Sequence, residues 1–291
     1  MSTSDAHIYE QGYRKHEGAR LGPGASIRSL ALHSATRALG LRRTFWAKLL
    51  PIATVVISYL PASVFVGIAA LIPEEITNEV DAIPTYHDYY GFISAAILLF
   101  IAIVGPEVLC SDRRHGMLGL YLASPLTRET YLVSKVLGLV PVLGLVTLGP
   151  PLLLLVGRVF VDAGPESFGD FLLLLLRAVA GAVAVTAVYL SVSLAGASLT
   201  DRRAIASAGF ILALFVTGTV SGVLHEALDV NEHVLLLNLV ALPFELVVRI
   251  YGEPGDLRDV STAAVVLANV AWTVGGASLV LWRYKKLAVT R

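Results

Sequence analysis

The chain has 291 residues, 56% of them apolar and only 15% charged, with a mean hydropathy of +0.73. Soluble domains carry about 25% charged residues, so an ordinary soluble fold is excluded and a membrane protein is expected. Basic and acidic residues both total 22, which removes any bulk attraction to nucleic acid, and a single cysteine, Cys110, rules out a disulfide framework and any multi-cysteine metal site.

Residues 1–46 form a polar arm in which Arg14, Lys15 and Arg20 precede any apolar run. That is not the layout of a cleavable leader, so the first span is expected to act as its own insertion signal. Within the arm, Ile27, Leu30, Ala31, Ser34, Ala38 and Leu41 recur at helical spacing on one stripe, with Arg28, Arg37, Arg42 and Arg43 at its flanks or opposite. A basic helix with one apolar stripe fits two placements: lying in the cytoplasmic interface, or packed on its own bundle.

A helix needs about 20 mainly apolar residues to cross roughly 30 Å of hydrocarbon, since each backbone polar group must be bonded within the segment. Six stretches qualify: 49–72, 91–109, 136–156, 178–199, 204–224 and 262–282. The fold class is therefore an all-α membrane protein, with a permease-like region over 47–284 and a short tail over 285–291.

Basic residues set the orientation. The arm, the loop bearing Arg113, Arg114 and Arg128, the loop bearing Arg202 and Arg203, and the tail with Arg283, Lys285, Lys286 and Arg291 fall on one side, leaving only Arg158, Arg177, Arg249 and Arg258 for the other. Both termini are expected to be cytoplasmic, in a plasma (inner) membrane. The opposite side is acidic, with Glu74, Glu75, Glu79, Asp81 and Asp88 in one loop and Asp162, Glu166 and Asp170 in the next. Trp46, Trp282 and Tyr284 on the inner side, and Tyr86, Tyr89, Tyr90 and Tyr251 on the outer, are expected at headgroup level.

The third outer segment, 225–261, contains an apolar stretch, 234–248, interrupted by Asn238, Pro243 and Glu245. As a seventh span it would turn the basic tail outward, so a re-entrant or surface-lying helix is expected.

No phosphate-binding glycine loop and no H-E-x-x-H helix is present, so no catalytic residues are assigned. His225, Asp229 and His233 are spaced by four, a metal-compatible face on a helix, but such a trio at a loop is usually a solvated edge, and no metal is assigned. Ionisable groups inside spans are costly and mark function by default. Glu107, after Gly105-Pro106 at the inner end of span two, is a candidate gate or a partner for Arg113 or Arg114; the bland alternative is a carboxylate reaching headgroups and water. Arg177 is expected just outside span four, snorkelling to the outer interface. Gly181, Ala182, Ala184 and Ala187 in span four and Gly275, Gly276 and Ala277 in span six permit close helix approach, within the chain or between two chains.

The connection between spans two and three is the most informative stretch. Asp112-Arg113-Arg114, Gly116, the apolar run from Leu118 through Leu120 to Tyr121-Leu122, then Ser124-Pro125-Leu126, Arg128, Tyr131-Leu132 and Lys135 read as a charged turn, a short surface helix ending before Pro125, and re-entry into the bilayer. This pattern resembles the type-2 permease family of ATP-binding cassette transporters, with Asp112 where Glu is commoner and Met117 where a small polar residue is usual. The resemblance extends to the six-span layout and covers most of the chain after about residue 25.

The resemblance implies a half-transporter. Two such permease subunits, identical or not, pair in the lipid bilayer, and a separate cytoplasmic ATPase docks beneath and supplies ATP and Mg chemistry that this chain lacks. Asp112, Arg113, Arg114 and Arg128 are then expected to give ionic docking contacts, and Leu118, Tyr121 and Leu122 apolar ones, on a coupling helix spanning Gly116 to Ser124 and ending at Pro125. The family's usual direction implies export. The rivals are an ion-gradient-driven secondary transporter, disfavoured by nearly uncharged span centres, and a non-transporting membrane scaffold.

Overall fold

A computed structural model describes residues 22–41, 45–71 and 84–287, with side chains from Lys48 onward in the second segment. The expectations attached to Arg14, Lys15, Arg20, Arg42, Arg43, Glu74, Glu75, Glu79, Asp81 and Arg291 lie outside the described residues, and that for the Trp46 ring outside the described side chains.

The described elements are all helical. In chain order they are α1 (Pro23–Ala38), α2 (Phe45–Leu71), α3 (Tyr89–Arg114), α4 (Leu118–Leu122), α5 (Arg128–Thr147), α6 (Gly149–Phe160), α7 (Phe168–Leu199), α8 (Arg203–Glu226), a 3₁₀ helix (Glu232–Leu237), α9 (Leu242–Tyr251) and α10 (Thr262–Lys286). Six of them, α2, α3, α5, α7, α8 and α10, are long and apolar enough to cross a membrane. The most enclosed is α3, which packs against α1, α2, α5, α7 and α8.

Span three begins earlier than its hydropathy indicates. The Thr127 side chain accepts from the Thr130 amide at 3.2 Å and the Thr130 hydroxyl accepts from the Thr127 amide at 2.7 Å, a reciprocal cap that starts α5 at Arg128, eight residues before 136. It also ends earlier. Pro150 and Pro151 lack the amide donors that an unbroken helix needs, so the helix stops at Thr147 and restarts as α6 after Leu148.

Span four is longer than expected. Ser167 accepts from the Asp170 amide at 3.1 Å and starts α7 at Phe168, so Arg177 lies inside the helix and not before it. At 32 residues α7 is about 48 Å long, well beyond the hydrocarbon thickness, and its first turns can stand clear of the acyl chains.

The stripe on α1 is covered by protein. Leu30, Ser34 and Ala38 are buried against α5, and Gly138 makes the approach possible: a Cβ there would collide with the Ala31 carbonyl oxygen and sit 2.9 Å from Ser34 Cβ. Packing on the bundle is thus the placement the contacts show.

The segment after α8 does not cross the bundle. The ten residues of α9 span about 15 Å and pack on α7 and α10. Gly252, at φ +96°, ends α9 with the paired bonds Gly252 N to Arg249 O and Glu253 N to Val248 O. Glu245, which broke the apolar pattern, bonds Arg249 at 2.9 Å and accepts from the Asp256 amide at 3.0 Å, folding the 252–261 loop back onto α9.

The aromatic residues divide. Trp282 is exposed, with the Lys286 ammonium 4.3 Å from its ring centre, as an interfacial ring is expected to be. Tyr89, Tyr90 and Tyr284 instead lie inside the bundle: the hydroxyls of Tyr89 and Tyr90 each donate at 3.2 Å to the carbonyls of Ser58 and Ala178. Backbone carbonyls replace the water that a headgroup position would supply. Tyr251, on α9, is also buried, and burial pushes its phenol up from the ordinary value.

The small residues separate by partner. A Cβ on Gly276 would lie 2.8–3.1 Å from the Ser191 backbone and Cβ, and one on Gly181 would meet Tyr90 and Val247, so both serve packing within the chain. Gly275 has nothing within 4 Å.

Candidate functional site

The functional residues expected from the sequence gather at one end of the bundle, where α1, α3, α4, α5, the start of α8 and the end of α10 meet. α3 ends at Arg114 because Gly116, at φ +66°, takes the left-handed conformation and allows Gly116 N to bond Arg113 O and Met117 N to bond Asp112 O. The chain then makes the single turn of α4, and Ser124 closes it by donating to the Tyr121 carbonyl at 2.5 Å. Leu126 is buried, and Thr127 begins α5.

The centre of this end is Asp112. Its side chain is 0% exposed, and three groups converge on it: Lys135 Nζ from α5 at 2.6 Å, the Tyr131 hydroxyl at 2.9 Å, and Arg37 Nη1 from α1 at 3.1 Å. Arg37 also donates to the Ser111 hydroxyl. Lys135 is itself 1% exposed and lies 5.3 Å from the ring centres of both Tyr121 and Tyr131. A carboxylate this deep is tolerated only when its oxygens are occupied by charged and hydroxyl donors, as they are here. Asp112 therefore offers no surface to a partner protein, which corrects its expected ionic docking role.

Glu107 extends the network one turn deeper. It pairs with Arg203 Nη1 at 2.7 Å and with Arg37 Nε at 3.8 Å, not with Arg113 or Arg114. Arg37 thus joins both carboxylates, and together they tie α1, α3, α5 and α8.

Two of the expected docking arginines close helix ends. Arg113 Nη1 donates to the carbonyls of Ser198 at 2.6 Å and Thr200 at 3.1 Å, at the end of α7. Arg128 Nη1 donates to the carbonyls of Tyr284 at 3.2 Å and Lys285 at 2.5 Å, at the end of α10. Each guanidinium meets the negative end of a helix and the orphan carbonyls there.

The remaining expected residues divide by exposure. Leu118 is buried, and Tyr121 and Leu122 are half-buried. Burial raises the Tyr121 phenol above its ordinary value, and the Asp112 carboxylate adds to the rise. Arg114, Gly116, Ser124 and Pro125 are exposed, and so is Leu120, which stands out at 65%.

A family model described as ABC-2 family transporter protein matches residues 52–282, most of the chain. The chain belongs to that family. It is a multi-pass permease subunit of an ABC transporter. No curated protein sequence matches it.

In this permease, then, the connection between the second and third spans is a short exposed turn anchored on a buried ionic hub. Arg37, Lys135, Tyr131 and Arg203 are hub members that no motif or spacing singles out for that role. The available signal was a lysine entering a span opposite an aspartate leaving one, since neither is stable there alone. On the side of the bundle, α5, α7 and α10 leave an apolar groove of about 980 Å³, lined in part by Gly144, Ala182, Ala187 and Ala277.

His225, Asp229 and His233 do not share one helix face. α8 ends at Glu226, Asp229 adopts φ +50° beyond it, and His225 and His233 bond the Val230 carbonyl and the Asn231 side chain. Among the described residues no cluster of three or more ligand-type side chains is suited to hold a metal ion.

Proposed function

We propose that this permease subunit exports its substrate across the plasma membrane, with both termini cytoplasmic, using ATP hydrolysed with Mg by a separate cytoplasmic ATPase chain. A second permease subunit completes the path in the bilayer. The chain itself performs no catalysis. The observation that carries this reading is the exposed turn from Arg114 to Pro125, carried on a rigid hub that reaches four helices.

The turn is the docking element, and the hub is its lever. Leu120, Ser124 and Pro125, with the exposed edge of Tyr121 and Leu122, form the surface an ATPase meets. Closure of the ATPases displaces that surface. Because Asp112, Lys135, Arg37, Glu107 and Arg203 link α1, α3, α5 and α8 through ionic contacts, the displacement moves these helices together, selecting between two packings of the bundle. Glu107 sits where such a movement is felt at the inner end of the path, the place of a gate.

Leu120 gives the clean test, because its side chain supports nothing inside the fold. Leu120→Asp is expected to leave insertion and thermal stability unchanged and to weaken association with a phosphate-loop ATPase about tenfold, the effect of losing one apolar anchor. The measurement is co-purification, together with the ATPase rate stimulated by the permease in lipid. Wild-type stimulation in the variant counts against this docking surface, and failure of any phosphate-loop ATPase to associate with the unaltered chain counts against the ATPase-driven reading.

A further inference from the structure

Beside the hub, and sharing Arg203 with it, lies a second cavity of about 710 Å³ lined by Arg114, Asp201, Arg202, Arg203, Ala204 and Ser207. Three guanidinium groups face one carboxylate, so the cavity is strongly cationic. Arg203 is committed through Nη1 to Glu107. Arg114 and Arg202 are exposed, and their side chains have no hydrogen-bond or ionic partner among the described residues.

The backbone adds to this charge. Arg202 occupies the N-cap of α8 without a side-chain cap, and the first amide of the helix to find an acceptor is that of Ala206, bonded to Arg202 O at 3.1 Å. The amides of Arg203, Ala204 and Ile205 are left at the positive end of the helix dipole, in a turn from which Arg203 and Ala204 line the cavity. Paired guanidinium forks and free first-turn amides are the donor set that phosphate oxygens satisfy.

Depth identifies the source of the phosphate. Arg114 is the last residue of one span and Arg203 the first of another, while Leu199 and Ile205, on either side of the loop, are 56% and 54% exposed and suit acyl chains. The ends of two spans therefore place the cavity at the level expected for the boundary between hydrocarbon and water, where lipid headgroups concentrate phosphate. We propose that it binds the headgroup phosphate of an anionic phospholipid, with Arg114 and Arg202 as the principal ligands and Arg203 shared between the lipid and Glu107. The site requires only the six spans, and it stands whether or not an ATPase docks nearby.

The test uses the full chain in detergent, without any partner, titrated with phosphatidylglycerol or phosphatidylcholine and read by native mass spectrometry. The wild type is expected to retain phosphatidylglycerol in preference to phosphatidylcholine. Arg114→Gln with Arg202→Gln is expected to weaken phosphatidylglycerol about thirty-fold, Arg202→Gln alone roughly five-fold, and the double Lys variant only slightly. Thermal unfolding without added lipid should not change, as both side chains are exposed. Equal phosphatidylglycerol affinity in the wild type and the double Gln variant overturns the proposal. Displacement of the lipid by inorganic phosphate at comparable concentration overturns it in favour of a free-anion site. Unchanged lipid binding with lost binding of an acidic partner protein overturns it in favour of a protein interface.

Discussion

Asp112→Ala is expected to cost about 3–5 kcal/mol of stability, the penalty for leaving buried charges without their counter-ion. The substitution strands the Lys135 ammonium, which is almost wholly enclosed, and removes the acceptor of the Tyr131 hydroxyl. Arg37 fares better, because it keeps Glu107 and is partly exposed. Thermal unfolding in detergent and the folded yield measure the loss. A second variant, Asp112→Leu with Lys135→Met, removes both charges together and is expected to be clearly more stable than Asp112→Ala, since paired removal leaves no unpaired ion. Wild-type unfolding behaviour in Asp112→Ala would show that the pair is not the hub of this end.

Gly276→Leu is expected to destabilise the bundle by about 3 kcal/mol, at the upper end of overpacking costs. The first added carbon would already approach the Ser191 carbonyl group at 2.8–2.9 Å, and a backbone atom cannot turn aside as a flexible side chain does. α7 and α10 would have to separate. Gly275→Leu, one residue away, points into open space and supplies the control: its effect on the subunit alone should be within about 1 kcal/mol, mostly from helix propensity. Unfolding midpoints of the two variants decide the matter, and equal losses would contradict the assignment of Gly276 to packing within the chain.

The spans were legible because hydropathy over about 20 residues is a local property. Their ends were less so. Arg128, Glu129, Ser134 and Lys135 depress the hydropathy of the first turns of α5, and Asp170 and Arg177 do the same in α7, although the caps Thr127 and Ser167 stand in plain view in the chain. Reading caps ahead of hydropathy would have placed both starts. The hub was hidden for another reason. Arg37 and Asp112 are 75 residues apart, and no spacing rule says which of many basic residues will meet a given carboxylate across helices. Tyr89 and Tyr90 misled in the same way, because a tyrosine near a span end satisfies its hydroxyl equally with water or with a backbone carbonyl from a neighbouring helix. The motif around Ser124-Pro125 was recognisable, while the inward role of Asp112 and the capping roles of Arg113 and Arg128 depended on contacts that only the folded chain reveals.

The packing of α1 on α5 also sets an order of events at the ribosome. α1 emerges first, with Leu30, Ser34 and Ala38 on one face, yet the surface that covers them is translated only after two complete spans have been made. Throughout that interval the stripe lacks the α5 surface it rests on, and Arg37 has neither carboxylate until α3 is made. The nearest place that accepts an apolar face beside a basic one is the surface of the membrane itself. The nascent arm is expected to rest there until α5 arrives, and crosslinking of stalled nascent chains to lipid at Leu30 or Ala38, lost once α5 is made, is the measurement that checks it.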